Sequence, residues 1–164
     1  MRNTLATVLI IFSLISPIIT IIVGVKFNQN CSGYLKQAAD ANSVELALQR
    51  LDMAIAYVED NELTDGYTSI FYKTEDDNIG FWYQNLKTCR EGLVACLESS
   101  QLEKTNVLLK VRESLTDDGK DGTELTLPNG ISRYPDNGIF CFWNTLSLIM
   151  LLIGFCIYDK YSLY

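Results

Sequence analysis

Residues 5–25, LATVLIIFSLISPIITIIVGV, decide how the rest of this chain is read. Twenty-one residues pass without a charge. As a helix the run reaches about 31 Å, which matches the hydrocarbon thickness of a bilayer. Pro17 falls in its middle and predicts a kink, which a membrane tolerates where neighbouring groups re-satisfy the freed carbonyl. The basic start Met1-Arg2-Asn3 also suits a secretory signal. Signal cores, however, run about 7–15 residues and end at a small-x-small site. Here the apolar stretch continues through Gly24-Val25 into Lys26, so a retained anchor is expected.

A second run, residues 139–158, is equally free of charge, with Asn144 its most polar member. Phe140, Phe142 and Trp143 crowd one end, and Tyr158, Tyr161 and Tyr164 stand at the other. Amphipathic rings favour both bilayer interfaces, so this is the belt of a spanning helix. The predicted organisation is a mainly α chain. A transmembrane helix over 1–25 and a second over 139–158 flank an extramembrane helical domain over 26–138, and a short tail, 159–164, follows.

Apart from Arg2, Lys160 and Asp159, every charge of the chain lies in the 26–138 insert. With 13 Lys+Arg against 20 Asp+Glu overall, that insert is strongly acidic. Such a surface repels nucleic acid and anionic headgroups. Two spans place both termini on one side; the flanking basic residues favour cytoplasmic termini and an extracytoplasmic insert.

Within the insert, Phe27, Cys31, Tyr34 and Ala38 share a helical face, so 26–40 reads as an extension of the first span. Asn42 with Glu45 resembles a capping box opening a helix over 43–63. Its stripe is Val44, Leu48, Leu51, Ile55 and Val58, and Thr64-Asp65-Gly66 stops it. Thr74-Glu75-Asp76-Asp77 opens a helix over 76–98, acidic where the macrodipole favours it. Ile79, Trp82, Leu86, Cys89, Leu93 and Cys96 mark its buried face. Ser100 with Glu103 is a second capping box, so a helix over 101–115 follows a break, although one unbroken helix to Leu115 is also compatible with the pattern. These helices predict a bundle of three to four, standing on a two-helix stalk. Thr123–Leu127 and Ile131–Tyr134, around Pro128-Asn129-Gly130, read as a short β-hairpin over 123–134 just before the second span.

The chemistry is defined mainly by what is missing. The sequence holds no His. The chain therefore lacks His-based acid/base catalysis, Ser-His-Asp and Cys-His nucleophiles, and His metal ligands. Neither phosphate-binding glycine motif occurs. Asp117–Glu124 only faintly resembles a calcium loop, because its twelfth place is Pro128. No cofactor or metal is therefore expected, and the chain is expected not to be an enzyme. Cys31, Cys89 and Cys96 fall on predicted core faces and read as buried thiols; Cys141 and Cys156 read as apolar fillers of the second span. Asn30-Cys31-Ser32 matches the glycosylation sequon but hugs the membrane.

Two features remain as candidate contact sites. Tyr67, Phe71, Tyr72, Phe81, Trp82 and Tyr83 cluster in the elbow between two helices, as an interfacial belt, core packing or a partner surface. Asn144 is the candidate intramembrane contact; with Thr145 and Ser147 it could line or glue a helix interface. The expected function is a non-enzymatic accessory or scaffolding subunit, whose partners are the lipid bilayer and another membrane protein or a second copy. An extracytoplasmic sensor signalling through a partner, and an oligomeric channel or lytic hairpin, are the alternatives.

Overall fold

The computed structural model describes residues 2–119 and 122–162, and the side chains of all these except 2, 3, 5, 118, 119 and 160–162. Tyr164, Asp121 and the side chains of Lys160 and Tyr161 thus lie outside the described residues. The chain is mainly helical, with one two-stranded antiparallel hairpin and two helices long and apolar enough to cross a membrane.

The first long helix runs from Arg2 to Ala39. It comprises α1 (Arg2–Ser13), α2 (Ile15–Phe27), a π-helical turn at Asn28–Ser32 and α3 (Gly33–Ala39). Its interruption at Leu14 comes three residues before Pro17, which has no N–H to offer the carbonyl of Ser13. In the π turn the Gly33 N–H reaches back to the Asn28 carbonyl, five residues away. A Cβ at Gly33 would lie 3.0 Å from that same oxygen, so the wide turn and the glycine belong together.

After Ala39 the chain folds into a helical head. α4 (Val44–Asp60) begins at Ser43, whose hydroxyl accepts the Leu46 N–H. The N-cap is therefore Ser43, not Asn42, because Ser43 takes the extended backbone that a cap needs. α5 (Ile79–Ala95) starts later than the acidic run predicts. Glu75–Asp77 forms its own 3-10 turn, and Asn78 caps the helix through the Phe81 N–H at 3.0 Å. α6 (Gln101–Leu115) opens on the Ser100/Glu103 capping box, formed in both directions, so the helix is broken after Ala95. α3 packs on α4 and α6, α4 on α5, and α5 on α6. Leu35, Leu51, Val58, Ile79, Leu86 and Leu93 are fully buried where these helices meet.

The hairpin is displaced from the predicted 123–134. β1 (Thr116–Gly119) follows α6 directly and pairs with β2 (Gly122–Leu125), Thr116 opposite Leu125. The expected second strand is a 3-10 turn instead, Ile131–Arg133. Pro128 cannot donate to a ladder, and Gly130 at φ +76° lets the chain curl, with the Ile131 N–H on the Pro128 carbonyl at 3.1 Å. That turn drives Ile131 into the core of the head. The second long helix, α7 (Asn137–Ser162), then runs back antiparallel to α1 and α2.

Candidate membrane and partner interfaces

Along the two long helices the contact surface is a narrow stripe. Near one end Ala6 is fully covered, and a Cβ on Gly154 would approach Ile10 Cγ1 to 2.8 Å, so α1 and α7 touch almost backbone to backbone. One to two turns further, the Ser147 hydroxyl donates to the carbonyl of Ser13, the acceptor stranded by Pro17. Beyond it stands Asn144. Its Oδ1 accepts the Ser16 hydroxyl at 3.1 Å, and its Nδ2 donates to Thr20 Oγ1 at 3.2 Å and to the Phe140 carbonyl at 2.8 Å. Thr145 turns back on its own helix, to the Cys141 carbonyl. In apolar surroundings each pairing removes an otherwise unsatisfied polar group, so the clasp fixes which faces of the helices meet.

Beside the clasp lies an open furrow of about 420 Å³. Phe12, Ile15, Ile19, Phe140, Trp143 and Met150 line it. Apart from the stripe, both helices present their large apolar side chains outward.

The aromatic elbow separates into parts with different fates. Trp82 is buried, and its indole N–H donates to the Thr126 carbonyl at 3.1 Å. It lies in the buried stripe Ile79, Trp82, Leu86 of α5. Tyr83 is half-buried, and its hydroxyl donates to Glu59 Oε1 at 2.6 Å, a carboxylate that pushes its phenol up from the usual value. Phe81 is exposed on the outer face of α5, and Tyr67 lies with its ring 5.0 Å from Lys73 Nζ. Phe71 and Tyr72 are 81% and 80% exposed, and Ile70 beside them 47%.

These exposed residues sit on a tightly closed loop. Tyr67 and Asn78 form a β-bridge, and the Thr68 N–H donates to the Asp77 carbonyl at 3.0 Å. Thr68 and Thr74 both donate their hydroxyls to the Asp77 carboxylate, at 3.3 Å and 2.5 Å. From outside the loop, Asn137 Nδ2 donates to the Thr68 carbonyl at 2.6 Å, and more weakly to Gly130 at 3.3 Å. Asn137 and Thr68 escape a reading of the sequence; their only signal is polarity beside apolar runs.

The cysteines Cys31, Cys89 and Cys96 are buried and unpaired, while Cys141 and Cys156 are exposed along α7. Asn30 of the sequon lies inside the π turn, its side chain spent on the Lys26 carbonyl at 2.8 Å. Among the described residues, no group of three acidic or Cys side chains is placed to hold a metal ion. Comparison of the chain with protein-family models, with curated proteins and with solved structures finds no match.

Proposed function

We propose that this chain is a two-span membrane protein without catalytic activity, acting as an accessory or scaffolding subunit. In this reading both termini are cytoplasmic, and the head is an acidic four-helix bundle on the extracytoplasmic side. The observation that carries it is the furrow beside the clasp. In a bilayer, helices associate by close packing, interhelical hydrogen bonds and lipid entropy, not by a hydrophobic drive. The clasp spends the polar groups of the pair on each other, while the large side chains Phe12, Ile19, Phe140 and Trp143 border a crevice that a third helix can fill. The partner is a span of another membrane protein or of a second copy.

The test is site-specific photo-crosslinking from Ile15 and from Trp143 in membranes, followed by gentle-detergent purification and mass spectrometry. A stoichiometric protein crosslinked at both positions is the expected result. Lipid adducts alone, on a chain that purifies as a monomer, would overturn the scaffolding role.

One observation favours a second reading, an extracytoplasmic sensor. The π turn at Asn28–Ser32 joins span to head. Losing its extra residue per turn would rotate everything above it by about 100°. A small molecule that raises the melting temperature of the head would support that reading.

A further inference from the structure

We infer that residues 70–72, Ile-Phe-Tyr, form a membrane-docking tip that inserts into the headgroup zone of the leaflet from which the head emerges; this rests on the two-span reading. Two contacts place the base of the loop and the foot of the head. Asn137, whose side chain holds the Thr68 carbonyl at 2.6 Å, precedes the apolar run of α7 by only two residues, about 3 Å of helical rise. On the other span, Phe27 stands two residues beyond Val25, and its ring lies 6.0 Å from that of Tyr57 near the foot of α4. The foot of the head is therefore at the bilayer boundary on both sides. Phe71 is three residues from Thr68, so its Cα lies within about 11 Å of it. The interfacial zone is itself about 5–8 Å thick on each side, so the tip can reach it directly.

The Thr68 and Thr74 hydroxyls close the base of the loop on Asp77, and the Tyr72 N–H donates to Ser69 Oγ at 3.2 Å, yet the rings of Phe71 and Tyr72 stay four-fifths uncovered. Rings so placed, with a phenol at the tip, match the chemistry of a membrane interface. The occupant is a lipid surface recognised by apolar partition, not by charge. Glu75 and Asp76 lie exposed next to the tip, against Lys73 alone, so anionic headgroups gain nothing there. The distal end of the head supplies a control. Leu102, in the first turn of α6, is 72% exposed but lies at the end of the head away from the spans.

The experiment is photo-crosslinking of the unmodified full chain in zwitterionic nanodiscs, with lipids carrying a diazirine either near the glycerol or deep in the acyl chain. The expected result has the shallow probe labelling residues 70–72 and sparing Leu102, with the deep probe labelling α1, α2 and α7. Labelling of the tip does not rise when anionic lipid is added. F71S/Y72S cuts tip labelling at least about tenfold and leaves span labelling and circular dichroism unchanged. If the spans are labelled and the tip is labelled no more than Leu102, the docking proposal fails and the two-span reading stands. If neither is labelled, both fail.

Discussion

The Ser147 hydroxyl of the second long helix donates to the backbone carbonyl of Ser13 in the first, the oxygen that Pro17 deprives of its helical donor. A defect in one helix is thus repaired by a side chain of the other. This gives a sharp expectation. Ser147→Ala strands the carbonyl and weakens the helix pair by about 1–2 kcal/mol. In a Pro17→Ala background the helix regains the missing backbone N–H, and the same substitution at Ser147 costs about 0.5 kcal/mol or less. A double-mutant cycle of unfolding in bicelles reads the coupling; additive effects would break the link.

Gly66 is the second tight point. It has φ +104°, and a Cβ there collides with the phenol of Tyr134. Gly66→Ala should therefore destabilise the head by about 1–3 kcal/mol, from both the strained backbone and the displaced ring. The melting temperature and the emission of buried Trp82 report it together. An unchanged melting curve would contradict the packing of Tyr134 on this glycine.

Two carboxylates contribute to the acid sensitivity of the head. The Ser100 backbone N–H holds Glu103 below the usual carboxylate range, and the Glu45 backbone N–H, followed by the charge of Lys104, does the same for Glu45. A depressed carboxylate favours the folded state fully above the ordinary range and loses that contribution as pH falls through its lowered value. The helicity of the head should accordingly hold through neutral pH and soften only in acid. Glu103→Gln, which keeps the hydrogen-bonding shape without the titration, flattens part of that loss.

Buried thiols make a fourth expectation. Cys31, Cys89 and Cys96 lie inside the head, and burial pushes the Cys89 thiol up from its usual value. Since the thiolate is the reactive form, a charged alkylating reagent at neutral pH leaves all three untouched until denaturant is added. Rapid native labelling of Cys89, followed by mass spectrometry of its peptide, would show that the α5 face is open.

Local chemistry is the legible part of this fold. The uncharged runs, the apolar stripe of α5 and the reciprocal capping of α6 by Ser100 and Glu103 are each written in one continuous segment of chain, through composition or the spacing of residues three or four apart. The hairpin lies elsewhere than the pattern predicts because its first strand, Thr116–Gly119, has the composition of a loop, while Pro128, Gly130 and the burial of Ile131 curl the strand-like residues after them into a 3-10 turn. Trp82 lies on two patterns at once, an aromatic cluster and a heptad-like stripe, and burial decides for the stripe. The bonds from Ser147 to Ser13 and from Asn137 to Thr68 join positions 134 and 69 residues apart. Nothing periodic announces such pairs; Pro17 says only that a donor must come from somewhere.

The Asn137 clamp also sets an order of events during biosynthesis. Residues 66–78 leave the ribosome long before position 137, and until then the Thr68 carbonyl has no amide to hold it. The head can gather its helices early. Its aromatic loop gains its last clamp only when the final helix arrives, so a nascent chain truncated before Asn137 should be cut by protease at that loop faster than the finished protein.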